Sequence, residues 1–200
     1  MATNTVEATI LGQAEGIFGQ VETASVGSYS MDSAVTISYN SQTGVHTNCV
    51  IKFQVPKYTG ALLSIEVFIR CTTNIEIFGT PTFDYVITSS PFDKDSTIVE
   101  GTVSLESGYY AFRFTTDITG LESGGIYYLV LNPYKSNVEV ASVSDADPKH
   151  SIKLSYIDGG LVYIDNGSTL EAYSVYIDNG SSWDLYIPYI DNGSSWDICI

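Results

Sequence analysis

Three near-copies of one short unit close the sequence, beginning at Tyr163, Tyr176 and Tyr189, a period of 13 residues. Each opens Tyr-Ile-Asp-Asn-Gly-Ser, and the last two continue Ser-Trp-Asp. A truncated copy, Tyr156-Ile157-Asp158-Gly159-Gly160, precedes them. Asn-Gly takes positive φ at both central positions of a type I′ turn at little cost. The preceding Asp can accept hydrogen bonds from the turn backbone. Asn166-Gly167, Asn179-Gly180 and Asn192-Gly193 are therefore predicted turn-forming pairs. The flanking Tyr-Ile and Trp-Asp-Leu-Tyr segments supply short strands. Each unit reads as a β-hairpin, and successive units are chained strand to strand. An isolated hairpin is marginal in water. A 45-residue tail with this little apolar bulk needs help from neighbours, so a homo-oligomer is expected, with three as the expected subunit number.

The rest of the chain reads differently. Lys and Arg all lie between Lys52 and Lys153, whereas Tyr156 to Ile200 holds seven acids and no base. That shift marks a boundary near residue 156. Residues 1–30 are rich in Gly, Ser and Thr and read as an extended arm with a short strand at Val6 to Leu11. From 31 to 155 the pattern is β throughout. Ile51, Phe53 and Val55 share one face, with Lys52 and Gln54 opposite. Leu63, Ile65, Val67 and Ile69 share another, and Tyr110, Phe112 and Phe114 a third, around an outward Arg113. Ile126 to Leu131 is apolar on both faces and reads as a central strand. Val35 to Tyr39, Val138 to Val143 and Ser151 to Tyr156 complete the set. Eight or more short strands without a helical period predict an all-β chain, a jelly-roll-like β-sandwich followed by the hairpin array.

Composition narrows the function. Eight basic against 23 acidic residues give a formal charge of −15, which repels nucleic-acid backbones and anionic membranes. Forty-four per cent of residues are apolar, too many for a disordered acidic tail. Met1 to Glu7 has neither a basic nor an apolar stretch, so no secretory signal is expected. Three cysteines, Cys49, Cys71 and Cys199, do not read as a disulfide framework. His46 and Cys49 form an isolated H-x-x-C with no second pair to complete a zinc site. The other histidine, His150, lies in no nucleophile motif, and there is no phosphate-binding glycine loop. No catalytic residue, metal or cofactor is expected. Asp93-Lys94-Asp95 and Asp145-Ala146-Asp147 read as solvated loops. The sequons at Asn166, Asn179 and Asn192 read as turns. Trp183 and Trp196, with Tyr176 and Tyr189, are the candidates for stacking on sugar rings.

Tandem units of the form Y-[IV]-x-[DN]-G-[ST]-x-W, joined by steps such as Pro188-Tyr189, resemble the C-terminal repeats of structural proteins of tailed bacteriophages and prophages of Gram-positive hosts. The resemblance spans residues 156–200. It implies a non-enzymatic virion component: a capsid decoration or head fibre, a neck protein or a tail fibre. Such a protein is made in the host cytoplasm and sits among other virion proteins, with host-surface glycans as a further partner. Cys49 to Val55 followed by Ala61 to Arg70 resembles the core of jelly-roll carbohydrate-binding-like modules. Gln54 stands where those modules often carry Asp, so no binding residue is transferred from them.

Overall fold

The computed structural model describes residues 3–17, 25–40, 45–58, 60–72, 82–105, 111–134, 138–157, 161–165, 170–178, 183–186, 189–191 and 196–198. From residue 161 onward the description is of the backbone. Among the described residues, twelve strands precede residue 158: β1 (Thr3–Glu7), β2 (Thr9–Ile17), β3 (Ser25–Val26), β4 (Val35–Asn40), β5 (Val45–Gln54), β6 (Ala61–Arg70), β7 (Thr82–Thr88), β8 (Thr97–Ser104), β9 (Ala111–Asp117), β10 (Ile126–Tyr134), β11 (Val138–Val140) and β12 (Ser151–Ile157). Five follow: β13 (Leu161–Asp165), β14 (Leu170–Asp178), β15 (Trp183–Tyr186), β16 (Tyr189–Asp191) and β17 (Trp196–Ile198).

All ladders are antiparallel. The first sheet runs β1-β12-β6-β9, and the second runs β5-β10-β7-β8. Between β1 and β12 the chain visits the sheets in the order first, second, first, second, second, first, second, first. That is jelly-roll connectivity, two interleaved Greek keys. β2 and β4 extend the second sheet by sharing the free edge of β5. β4 takes Val45 to Thr47 and β2 takes Asn48 to Gln54. Single bridges at Leu105↔Phe112 and Cys71↔Val140 tie the two sheets together. Such ties reduce the exposed edge that an open sheet would offer.

Alternation sets the core. Ile51 and Phe53 from β5, Leu129 and Leu131 from β10, and Phe83 and Ile87 from β7 meet Ile65, Val67 and Ile69 from β6, Ile152 and Leu154 from β12, and Phe112 from β9. All are fully buried. Phe83 and Phe112 cross edge to face at 4.6 Å between opposite sheets. Tyr85 stacks on Phe114 at 3.9 Å. The Tyr85 ring lies where a side chain at residue 101 would be: a Cβ on Gly101 would stand 2.5 Å from the Tyr85 hydroxyl. Glycine there is a packing requirement. Gly12 combines φ of +134° at a β-bulge with close approach to the Ser30 backbone, and both features demand glycine.

Several expectations need adjustment. Residues 3–17, grouped by composition with an extended arm, form β1 and β2 and supply one strand to each sheet. Gln13 anchors this segment. It is buried, and its Nε2 donates to the Ser33 and Ala141 carbonyls, both at 2.8 Å. Leu63, expected inside with Ile65, is 37% exposed near the start of β6, where pairing with β12 shifts register. β7 and β8 lie outside the strands predicted from the sequence, although Phe83, Tyr85 and Ile87 alternate with Asp84, Val86 and Thr88. The expected central strand at Ile126 to Leu131 is β10, flanked by β5 and β7. Tyr110 lies outside the described residues.

Candidate functional site

The repeat array is the feature that distinguishes this chain from a plain sandwich. β13, β14 and β15 form a three-stranded sheet, and β16 pairs with β17. The long strand β14 serves two units. Its first half, Leu170 to Ser174, pairs with β13, and its second half, Val175 to Asp178, pairs with β15. The first and second units are thus joined through one continuous strand.

Register repeats from unit to unit. The pairs nearest the loops are Asp165↔Leu170, Asp178↔Trp183 and Asp191↔Trp196. Two residues away come Tyr163↔Ala172, Tyr176↔Leu185 and Tyr189↔Ile198. Directly opposed residues and those two apart occupy one face of a ladder. Tyr176, Asp178, Trp183 and Leu185 therefore share a face in the second unit. Tyr189, Asp191, Trp196 and Ile198 share the equivalent face in the third. All four sugar-stacking candidates are thereby placed, as two diagonal Tyr–Trp pairs, each with a carboxylate residue on the same face. In the first unit Leu170 and Ala172 take the Trp and Leu positions, so that copy lacks the tryptophan. The turn-forming residues Asn166, Gly167, Asn179, Gly180, Asn192 and Gly193 lie outside the described residues.

Elsewhere, polar residues singled out in the sequence have local structural work. Asp93 Oδ1 accepts the Asp95 N–H at 2.9 Å, at the start of a single 3₁₀ turn. Asp145 Oδ2 accepts the Ser142 hydroxyl at 2.8 Å. Both Asp-x-Asp segments therefore use their first carboxylate to close a turn. His46 and Cys49 are three apart on β5, which puts them on opposite faces of the strand. They cannot share a ligand. Among the described residues no group of three or more His, Cys, Asp or Glu side chains is arranged to hold a metal ion.

His150 has a role that the sequence did not signal. It is buried, its Nδ1 accepts the Arg70 N–H at 2.9 Å, and its Nε2–H donates to the Ala141 carbonyl at 2.9 Å. Since Nδ1 is an acceptor, the ring is the neutral Nε2–H tautomer. Burial holds its pKa below the ordinary histidine value, with the Lys149 charge acting in the same sense and the Ala141 bond opposing. Cys49 and Cys71 are free, buried thiols in the core. Burial pushes Cys71 up to about 12, against the Arg70 charge, and pushes Cys49 up with a contribution from Cys71. Neither is a nucleophile in this state.

No protein-family model matches this chain, and a search of curated proteins finds no matching relative. The geometry defines an all-β protein in which a jelly-roll sandwich carries a C-terminal hairpin array.

Proposed function

We propose that this chain is a non-enzymatic structural component of a tailed bacteriophage virion, as capsid decoration, head fibre, neck protein or tail fibre. It is made in the host cytoplasm and assembles on the particle as a homo-oligomer beside other virion proteins. The observation that carries this reading is the unit-to-unit repetition of register in the hairpins. Three copies of one Asp-and-Tyr face succeed each other on sheets of two and three strands. Such small sheets bury too little apolar area to be stable alone. Stacking on copies or on a larger surface supplies the missing burial.

The test has two arms. Particles produced from the genome that encodes the chain should contain its peptides by mass spectrometry. The purified full chain should give an oligomer mass by light scattering. A chain absent from particles and monomeric at micromolar concentration would remove the reading.

A second reading is favoured by the shared faces of the second and third units. Tyr176 with Trp183, and Tyr189 with Trp196, would bind glycans of the host surface. Aromatic faces stack on sugar rings, while Asp178 and Asp191 would accept hydroxyl hydrogen bonds. Two linked weak sites gain affinity through effective concentration. On a glycan array, Trp183→Ala and Trp196→Ala should each lower apparent affinity by about tenfold or more. Equal signals for wild type and both variants would exclude it.

A further inference from the structure

Residues of β5 that point away from the core alternate with those that line it. Val50 packs on this outer face with Val86 and Val130, beneath Val26, Tyr29 and Tyr128. The adjoining row crosses five strands. Gly16 pairs with Asn48, Asn132 with Asp84, and Asp84 with Thr102. Asn48 and Asn132 follow directly on Cys49↔Leu131, the last pair of the β5–β10 ladder. The two amides are therefore cross-strand neighbours where main-chain pairing of the two central strands ends.

Three polar atoms in this row are buried without a hydrogen-bond partner: Asn48 Oδ1, Asn48 Nδ2 and Asn132 Oδ1. Asn48 itself is 0% exposed. Native structures leave few such groups unsatisfied, and ordered water or an ion is the usual remedy. The chemistry of the three atoms selects between them. A cation would serve the two oxygens and repel the Asn48 N–H donors. An anion would do the reverse. A neutral hydroxyl accepts from Nδ2 and donates to oxygen, so it satisfies both. Enclosure then limits its size. On the Gly16 side, a Cβ would stand 3.0 Å from a Val50 methyl and 3.2 Å from a Val26 methyl, so that wall is closed. The only hydroxyl compound small enough to reach a fully enclosed amide is water.

We propose that Asn48 and Asn132 form an internal hydration site, in which trapped water bridges β5 and β10 and takes the place of the next cross-strand contact. Asn132 is only partly buried and forms the side through which the water exchanges. The site belongs to the sandwich and does not depend on what the hairpin array binds.

Two measurements on the full chain test it. A high-resolution crystal structure should show water within about 3 Å of Asn48 and Asn132 side-chain atoms. Water-to-amide cross-relaxation in solution should connect the Asn48 side-chain NH₂ to a long-lived water. Asn48→Leu and Asn132→Leu should each lose the bound water. Should those variants fail to fold, the wild-type spectrum and density decide alone. A dry site, a direct amide-to-amide hydrogen bond between Asn48 and Asn132, or density for an ion would each overturn the proposal.

Discussion

At the scale of the residue, His150 makes a clear pH prediction. Unfolded, its imidazole takes a proton near the ordinary value of about 6.5. Folded, it does so only at lower pH, because burial disfavours the cation and because a protonated Nδ1 would face the Arg70 N–H donor to donor. Between those two values the unfolded chain binds more protons, so acid favours unfolding. The His150 contribution is complete above about pH 6.5 and is lost as the pH falls toward the folded value. Denaturant midpoints of wild type and His150→Gln, measured from pH 8 down to pH 5, should converge as the pH drops; parallel curves would refute this. Replacement by Ala removes the acceptor of the Arg70 N–H, while the Ala141 carbonyl keeps its bond from Gln13 Nε2, and should cost about 1–3 kcal/mol at pH 8. Gly101 acts through volume. Gly101→Ala drives a methyl into the Tyr85 ring, which is held by its stack on Phe114. Thermal melts should show a loss of about 1–3 kcal/mol, and an unchanged melting temperature would mean that the ring has room to retreat. The two core thiols give a chemical check. With Cys71 near 12 and Cys49 raised as well, a water-soluble disulfide reagent at pH 8 should label neither until denaturant is added. Peptide mapping of the labelled chain decides this.

At the scale of the element, an aromatic pair crosses between the two sheets within a largely aliphatic core. Phe112 on β9 is fully buried and meets Phe83 on β7 across the sandwich. Phe112→Ala should destabilise the chain by about 3–5 kcal/mol, since both transfer energy and a cavity are involved. Phe92, 54% exposed between β7 and β8, should tolerate Ala within about 0.5 kcal/mol. Urea titrations of both variants measure the contrast, and similar losses would refute it. These elements also show what the sequence could reveal. Strands with one wet face announced themselves by alternation, as Val50 to Val55 and Leu63 to Arg70 did. β10 was legible by its lack of alternation, since it is covered on both faces. Of β1 and β2 only the stretch from Val6 to Leu11 was legible, and Gly and Thr obscured the rest. Their identity depends on β12 and β5, which lie far away in sequence, and no local pattern encodes such pairing. In the array the repeat made the Tyr, Asp and Trp positions readable, and the register then put them on one face. Asn48 and His150 were not legible at all. A buried amide or imidazole looks the same in sequence as an exposed one until its neighbours are known.

At the scale of the whole molecule, charge and the array pull in opposite directions. The chain carries −15, and its last 45 residues contribute seven acids without a base. Copies associating through these segments bring like charges together. The apolar Ile, Leu and Trp positions must outweigh that repulsion. Repulsion between exposed charges is screened over about 10 Å at 0.1 M salt and about 3 Å at 1 M. Burial of apolar surface is not weakened by salt in this way. If the array is the self-association surface, as proposed above, added sodium chloride should tighten the oligomer. Sedimentation velocity of the full chain at a fixed micromolar concentration should show the oligomeric fraction rising between 20 mM and 500 mM salt, about tenfold or more in association constant. Dissociation by salt would instead mean that opposite charges hold the copies together. The bases all lie between Lys52 and Lys153, so that outcome would bring the sandwich into the interface and rule out contact between arrays alone. The direction of the salt effect thus locates the contact, and Ile177→Asp and Ile190→Asp in the full chain check the assignment. Each should lower the association constant at every salt concentration while leaving the unfolding transition of the jelly roll in place.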